Sequence, residues 1–232
     1  MDNFKELKEF FTLKSKVISD NHFGHPKCFE EHEPIRKQFT LQKGKNTLQD
    51  FEKLMITQWN NKVSKTDYLV HLGDFCINKM DDQKTLQNIK NNTRVLNGKK
   101  LLIKGNHDKT LNEVYLNNGW NFVIDKPLIL LEGQEKFIET EYNYTGCVIV
   151  EINGIRTMFS HFGLFMEDER FENKYKKEFE FLKDLFNKYK CEYNVHGHSH
   201  SKGNNTEFSS NISVEKINFT PVDLFQVFLT AI

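Results

Sequence analysis

Leu101-Leu102-Ile103-Lys104-Gly105-Asn106-His107-Asp108 is the stretch that decides the fold, because it joins an apolar run to polar side chains through one glycine. Three consecutive apolar residues are typical of a short buried strand, and a glycine allows the chain to turn sharply after it. An amide, an imidazole and a carboxylate then follow within three positions. This order predicts a strand whose carboxyl end carries a polar site.

The same arrangement, an apolar run followed by metal-binding types of side chain, occurs at four other places. These are Asp20-Asn21-His22, Gly73-Asp74, Ser160-His161 and Gly197-His198-Ser199-His200. Each is weak alone, because turn carboxylates and surface histidines are common. Five in one chain indicate a single site assembled from distant segments.

The composition describes a globular chain without an overall preference for a charged partner. The 232 residues include 32 basic and 32 acidic side chains, so the formal net charge is zero. This balance gives no general attraction to nucleic acid or to an anionic membrane. No repeat, low-complexity tract or linker is evident, and we expect a single domain over residues 1–232.

Cysteine usage and the first residues bear on the compartment. The four cysteines stand far apart without a Cys-x-x-Cys pair, which disfavours structural zinc and fits a reducing compartment. Residues 1–11 lack a hydrophobic signal core, and no apolar run approaches the ~18 residues of a membrane span. We therefore expect a cytoplasmic protein.

Hydrophobic periodicity predicts strands and helices in alternation. Helices are predicted over residues 47–63, 81–91, 110–118 and 172–190, the first capped by Thr47. Strands are predicted over 16–19, 68–71, 101–103, 191–195 and 211–219, with a hairpin over 147–160 that turns at Asn153-Gly154. Residues 26–46 show no clear element, and a lid or a plain loop are both open. Polar residues at strand ends in such a chain predict an α/β fold.

The residue types in these segments suit metal ions. Asp20 and His22 are two positions apart, as are His198 and His200, and this spacing puts two side chains on one side of an extended chain. Asp74 has two carboxylate oxygens and can bridge two ions.

The remaining segments add neutral donors and a proton carrier. Asn106 offers an amide oxygen and His161 an imidazole, while His107 is available for proton transfer with Asp108 to orient its ring. The donor set contains oxygen and nitrogen without thiolate, which favours Mn, Fe, Zn, Ni or Co.

The order Asp-x-His, Gly-Asp, Gly-Asn-His-Asp, His, Gly-His-x-His resembles the calcineurin-like metallophosphoesterase superfamily over nearly the whole chain. Ser19-Asp20-Asn21-His22-Phe23-Gly24-His25 and Val195-His196-Gly197-His198-Ser199-His200 are similar to a small bacterial and phage branch. The resemblance implies a four-layer α/β/β/α sandwich and two divalent ions, with Mn favoured. It implies that one ion is held by Asp20, His22, Asp74 and His200, and the other by Asp74, Asn106, His161 and His198.

Departures from other branches narrow the expected activity. Gly73-Asp74 is not followed by the Val-Asp-Arg-Gly of protein Ser/Thr phosphatases, and lipid A-type pyrophosphatases carry Arg where His107 stands. We expect hydrolysis of a phosphodiester in preference to a phosphomonoester. In this mechanism a hydroxide bridging the two ions attacks phosphorus, and His107 neutralises or protonates the leaving oxygen.

The substrate is less well defined by the sequence. A small phosphate ester, of nucleotide type, is the first expectation, and His25, Arg36 and Phe23 are the candidates for its pocket. A nuclease acting on DNA or RNA ends is the alternative, with backbone contacts from Lys99, Lys100, Lys104 and the cluster Lys174, Lys176 and Lys177. A non-catalytic metal-binding scaffold is disfavoured, because all seven ligands and His107 are present. Oligomeric state leaves no readable signal.

Overall fold

The computed structural model of the protein describes residues 4–77, 83–165, 174–203 and 205–229. Its strands are β1 (Lys16–Ile18), β2 (Tyr68–His71), β3 (Lys99–Ile103), β4 (Phe122–Ile124), β5 (Pro127–Ile129), β6 (Lys136–Phe137), β7 (Cys147–Ile152), β8 (Ile155–Ser160), β9 (Tyr193–His196), β10 (Ser209–Asn211) and β11 (Val222–Asp223). Its helices are α1 (Phe4–Lys8), α2 (Pro34–Gln42), α3 (Leu48–Lys62), α4 (Gln83–Val95), α5 (Asn112–Leu116), α6 (Lys176–Lys188) and α7 (Leu224–Leu229), with a π-helix over Cys28–His32.

The strands form two sheets with mainly parallel centres. The first has the order β11-β1-β2-β3-β4, and β1 to β4 run parallel. The second has the order β10-β9-β8-β7-β5-β6, in which β8, β9 and β10 run parallel and β7 and β8 form an antiparallel hairpin. The hairpin turns at the predicted Asn153-Gly154, where φ is 52° and 82°.

Alternating side chains on the strands define the layers. In β3, Leu101 and Ile103 join the core between the two sheets, whereas Leu102 packs among residues of the outer helices, including Trp59 of α3. In β7, Ile149 faces a third cluster that contains Leu182 of α6. In the described part of the chain, the outer face of the first sheet is covered by several helices, including α3, and that of the second by α6, which confirms the expected α/β/β/α sandwich.

Several predicted elements have the expected position. Helix α3 begins after Thr47, whose side chain accepts a hydrogen bond from the backbone N–H of Asp50 at 3.1 Å and completes a capping box. Helix α5 is shorter than predicted, and α4 extends to Val95. The predicted starts of helices 81–91 and 172–190 include residues 81–82 and 172–173, which lie outside the described residues.

Two segments differ from expectation. Residues 26–46 are not a loop but hold the π-helix and α2, because Phe29 and Phe39 anchor them to the helix-side core. Of the strand predicted over 211–219, only Asn211 lies in a strand, as the last residue of β10. Asn218 and Phe219 have φ of 51° and 57°, a left-handed backbone that a strand does not accommodate. Among the described residues, no helix is long and apolar enough to cross a membrane.

Candidate metal centre

The carboxyl ends of five strands converge at one edge of the sandwich. Strands β1, β2 and β3 of the first sheet are parallel neighbours, as are β8 and β9 of the second. The segments that follow these strands carry the seven predicted ligands Asp20, His22, Asp74, Asn106, His161, His198 and His200. The fold therefore brings all seven side chains into one cluster, in which every member except the half-buried His200 is buried.

One half of the cluster surrounds His22. Its Nε2 lies 3.5 Å from Asp74 Oδ2 and 3.8 Å from Asp20 Oδ1. His200 Nε2 also lies 3.8 Å from Asp20 Oδ1. These separations are long for hydrogen bonds but suit ligands of one ion, since metal–nitrogen distances of about 2.1 Å put neighbouring donors roughly 3–4 Å apart.

The other half surrounds His161. Its Nε2 lies 3.4 Å from the same Asp74 Oδ2, 3.1 Å from Asn106 Oδ1 and 3.1 Å from His198 Nδ1. Its Nδ1 lies 2.7 Å from the carbonyl oxygen of Leu72, and a proton on Nδ1 leaves Nε2 as the donor to a metal. Asp74 Oδ2 thus faces both halves, the position that a bridging carboxylate needs.

Unsatisfied buried atoms test whether a cation fits here. Within the described residues, Asp20 Oδ1 and His22 Nε2 are buried and have no hydrogen-bond partner. Leaving such a group unsatisfied costs about 1–3 kcal/mol, and more for a charged group. A divalent ion between them would satisfy both, so these residues fit the group.

The charges of the cluster shift its titration in opposite directions. Burial opposes the charged imidazolium of His161, yet Asp74 raises the pKa of His161 to about 9. Burial also opposes ionisation of Asp74, but His161 and His22 hold the pKa of its carboxyl well below the usual range. Burial lowers the pKa of His22 well below its ordinary value. An ionised Asp74 and a neutral His22 are the states that bind metal.

The backbone of the site is unusual at most of the predicted ligands. Asp20, His22, Asp74, His198 and His200 have φ between 50° and 68°, which is uncommon outside glycine and concentrates at functional sites. Left-handed residues directly after a strand turn the chain tightly, so that side chains from neighbouring strand ends point to one place.

Gly73 allows two of these strand ends to approach closely. Its φ is 92°, and a Cβ at this position would lie 2.5 Å from the backbone nitrogen of Gly105. Any larger residue would therefore push apart the turns after β2 and β3, which carry Asp74 and Asn106.

Asp108 has a different position from the one expected. Its carboxylate accepts hydrogen bonds from the backbone N–H groups of Asp74 (2.6 Å) and Gly105 (2.9 Å) and from the Tyr115 hydroxyl (3.0 Å). Burial, together with the charge of Asp74, raises the pKa of Asp108 to about 6. The carboxylate thus ties the ends of β2 and β3 together, instead of orienting the ring of His107.

His107 lies beside the cluster. Its backbone N–H donates to Asp74 Oδ1 at 2.8 Å, and its ring centroid is 5.1 Å from that of His22 and 5.7 Å from that of His25. The side chain is half-buried and lines the cavity above the predicted ligands. This position suits a group that exchanges a proton with a bound molecule.

Arg36 is not on the cavity wall, and its role differs from the predicted phosphate contact. It is 1% exposed, and its Nε lies 2.6 Å from Glu215 Oε1. The guanidinium also donates to the carbonyl oxygens of Asp20 (2.6 Å) and Asn21 (2.9 Å). The guanidinium therefore stabilises the turn after β1 by hydrogen bonds to its backbone.

Glu215 and Ser213 also belong to the site, although neither was predicted from the sequence. Glu215 Oε1 lies 3.2 Å from His200 Nδ1, and the Ser213 hydroxyl donates to Asp20 Oδ2 at 3.0 Å. Burial opposes ionisation of the Glu215 carboxyl, but the charges of Arg36 and His200 lower its pKa to about 2. The alternation of polar Ser213 and Glu215 with buried Ile212 and Val214 was the available signal.

Of the predicted pocket residues, only His25 lines the cavity. Its Nδ1 lies 3.4 Å from His22 Nδ1. Phe23 is 1% exposed and packs edge-on against Phe75, with ring centroids 5.2 Å apart, so it belongs to the core.

The cavity over the cluster has a volume of about 360 Å³. Six imidazoles, two further predicted ligands and a rim of other side chains form its wall: His22, His25, His32, His107, His198, His200, Asp74, Asn106, Cys28, Glu33, Lys174, Tyr175 and Lys202. Cys28 brings a sulfur atom that the predicted donor set did not contain. The lysines give the mouth a positive charge.

Comparisons with known proteins agree with this geometry. A family model described as calcineurin-like phosphoesterase matches residues 13–202. An uncharacterised protein of Methanocaldococcus jannaschii is 29% identical over 113 residues, which are 48% of this chain and 57% of that protein, so the match spans little more than half of its length. The crystal structure of a protein of unknown function from Aquifex aeolicus matches with a TM-score of 0.63 at 23% identity, over 93% of this chain and 98% of that one. This last likeness concerns the fold.

Proposed function

The chain belongs to the calcineurin-like phosphoesterase family, and from this premise we propose that it hydrolyses a small nucleotide-type phosphodiester, or a phosphomonoester. Membership of the family implies metal-dependent hydrolysis of a phosphoester, and the clusters of Asp and His side chains agree with that chemistry. The bacterial or phage branch suggested by the motifs remains part of the proposal.

The cavity of about 360 Å³ above the cluster is the observation that carries the proposal. Its volume lies in the range of small-molecule sites, roughly 300–1,000 Å³. Five of the seven predicted ligands, together with His107, line it, so a phosphate that enters would meet them directly.

Two divalent ions, for which we favour Mn²⁺, would supply a water of lowered pKa and neutralise charge on the phosphate. The protein's own residues have separate tasks. Asp74 holds the two halves together, and Glu215 fixes the orientation of His200. His107, at the cavity wall, protonates the leaving oxygen.

The side chains at the rim suit an anionic substrate that carries an aromatic ring. Lys174 and Lys202 line the mouth, and Lys174 Nζ lies 4.9 Å from the ring centroid of Tyr175. An ammonium group attracts phosphate as a point charge, and aromatic or imidazole rings offer stacking surfaces. A nucleotide combines these two features.

The alternative of a nuclease has less support. Lys100 Nζ donates to the carbonyl oxygens of Leu96 and Gly98, and Lys104 Nζ donates to that of Thr110, each within 3.0 Å. Lysines used in this way do not form an open track for a nucleic-acid backbone. A steep salt dependence of binding would reverse this judgement.

Hydrolysis of bis-p-nitrophenyl phosphate and of p-nitrophenyl phosphate tests the proposal, with added Mn²⁺ and with a chelator. We expect metal-dependent hydrolysis of the diester that exceeds that of the monoester, followed by activity on cyclic nucleotides. Activity on the monoester alone would replace the diesterase by a phosphatase. Absence of both activities in protein with two bound ions would contradict the proposal for small esters.

A further inference from the structure

A short helical segment places three metal-binding types of side chain on the cavity wall. His25, Cys28 and His32 all line the cavity. Cys28 and His32 are four residues apart in one helical turn, and His25 lies directly before the helical residues. Cys28–His32 is a π-helix, a conformation that is rare and often found at functional sites.

The sulfur of Cys28 belongs to a group of donors. One ligand atom each from Cys28, His22 and His200 lie within 4.8 Å of one another. Metal–sulfur and metal–nitrogen distances of about 2.3 Å and 2.1 Å put a sulfur and a nitrogen on one tetrahedral ion about 3.6 Å apart. Side-chain movements that shorten these separations by up to about 1.2 Å would bring the three donors onto one ion.

One member of this group, His22, has an unsatisfied buried nitrogen. His22 is 3% exposed, and in the described part of the chain its Nε2 has no hydrogen-bond partner. Cys28 is itself only 2% exposed, although it lines the cavity. An ion here would therefore have imidazole donors from His22 and His200 and a sulfur donor from Cys28 of the π-helix.

We propose that Cys28 is a sulfur donor to the ion bound by His22 and His200, so that this half of the centre prefers thiophilic metals such as Zn²⁺ or Co²⁺, and the preference for Mn²⁺ applies to the other half. Soft thiolate ligands favour such ions, whereas carboxylate and amide oxygens suit Mn²⁺. The proposal rests on the proposed function, since it concerns one of the same two ions, and it makes that ion chemically different from its neighbour.

Coordination exchanges a proton for the ion. Burial raises the pKa of the Cys28 thiol to about 12, so the metal-free side chain is a thiol. A bound divalent cation deprotonates a coordinating thiol, and the proton leaves to solvent.

Other cysteines of the chain provide matched controls. Cys147 and Cys191 are buried among apolar residues of the core beneath α6. Cys191→Ser makes the same chemical change as Cys28→Ser without touching the cavity. Cys28→Ala removes the sulfur without adding a hydroxyl donor.

Co²⁺ titration of the metal-free full chain tests the proposal by absorption spectroscopy. We expect a near-ultraviolet sulfur-to-cobalt charge-transfer band in the wild type and in Cys191→Ser. The band should be absent in Cys28→Ser and Cys28→Ala, which still show the visible bands of bound Co²⁺. Zn²⁺ should bind Cys28→Ser at least about 10-fold more weakly, with Mn²⁺ affinity changed by less than about 3-fold.

Two outcomes would overturn the role of Cys28 and leave the proposed function standing. One is stoichiometric Co²⁺ binding to the wild type without the charge-transfer band. The other is persistence of the band in both Cys28 variants. Failure of the wild type to bind any Co²⁺, Zn²⁺ or Mn²⁺ would instead contradict the two-ion site itself, and the inference with it.

Discussion

At the scale of single residues, the chemistry depends on where a few polar side chains meet. Asp74 is central, because one of its oxygens lies 3.5 Å from His22 and 3.4 Å from His161, on opposite halves of the site. Its other oxygen accepts the backbone N–H of His107. A substitution of Asp74 should therefore disturb both halves of the site and the position of His107, the proposed general acid.

Asp74→Asn should weaken binding of both ions together, because the amide that replaces the carboxylate carries no negative charge and has one oxygen. Metal content after gel filtration, measured by plasma mass spectrometry, should fall from two ions per chain to fewer than one. Asp184→Asn, an exposed change on α6, is the control and should retain two. A variant of Asp74 with full metal content and full rate would remove its bridging role.

His107→Gln should retain both ions and lower kcat by roughly 10²–10⁴-fold, the usual contribution of general acid catalysis. The loss should be smaller for p-nitrophenyl esters than for nucleotides, because nitrophenolate leaves without a proton. Steady-state rates on both substrates, with metal analysis in parallel, provide the measurement. Equal rates for wild type and variant on the poorer leaving group would exclude His107 as the acid.

The role of a single residue can be predicted from the sequence where a local motif marks that residue. All seven predicted ligands follow an apolar run, and the structure brings them together. Arg36 and Asp108 were given roles that their contacts do not support, since nothing local reveals that Arg36 is buried or that Asp108 faces backbone N–H groups. Glu215 stands in no motif, and only folding carries it to His200.

At the scale of elements, one buried ion pair links α2 to the segment after β10. Arg36 lies in α2, and Glu215 is four residues beyond the end of β10. The pair holds Asp20 through its carbonyl and His200 through its ring. Helix α2 thus supports the metal centre from below, although its side chains show no metal motif.

Removal of either partner should destabilise the fold, because it leaves the other as an uncompensated buried charge. We expect Arg36→Met or Glu215→Leu to lower the free energy of unfolding by about 3–5 kcal/mol, and the double variant to lose less than the sum. Urea unfolding of the chelated protein measures all three. Additive losses would mean that the two side chains do not interact energetically.

The same variants separate support of the metal from general instability. Glu215→Leu should lose the ion next to His200 and keep the ion near His161, so that metal content falls from two to one. Thr47→Ala, which removes the cap of α3 at about 1 kcal/mol, should keep both. Retention of two tightly bound ions in Glu215→Leu would show that His200 is oriented without it.

At the scale of the whole molecule, folding buries several histidines as neutral rings. Burial lowers the pKa of His25 and His196 to about 4 and of His71 to about 3. His71 illustrates why, since Nδ1 accepts the backbone N–H of Gly73 at 3.1 Å and Nε2 lies 2.8 Å from Asn21 Oδ1. A second ring proton would break the first of these hydrogen bonds.

The sign of the resulting pH dependence follows from proton binding. Between pH 6.5 and about 4, the unfolded chain binds protons at these histidines, whereas the folded chain keeps them neutral. The free energy of unfolding therefore decreases as the pH is lowered through this range. Asp108 acts in the opposite direction, because its raised pKa lets the folded chain take up a proton before the unfolded chain does. This proton offsets part of the destabilisation from one histidine. Above pH 6.5, His161 remains protonated in the folded state up to about pH 9, and this contribution is lost as pH rises. Metal-free protein should therefore be most stable at about pH 6.5.

His71→Gln isolates one histidine from this sum. Its free energy of unfolding should fall less steeply than that of the wild type below pH 6.5, by up to about 1.4 kcal/mol per pH unit. Urea unfolding in the presence of chelator at pH 7.5, 6.5, 5.5 and 4.5 gives both slopes. Parallel slopes would mean that His71 accepts a proton in the folded state.

The α/β class, most elements and the seven side chains that meet at the site can be predicted from the sequence, because periodicity, turn residues and motifs are properties of neighbouring positions. Folding alone establishes that residues 26–46 contain the π-helix and α2, that Arg36 and Glu215 support the turn at Asp20, and that Cys28 stands beside His22. These contacts join residues far apart in sequence, and they form because two sheets bury their apolar faces against each other and bring distant strand ends to one edge.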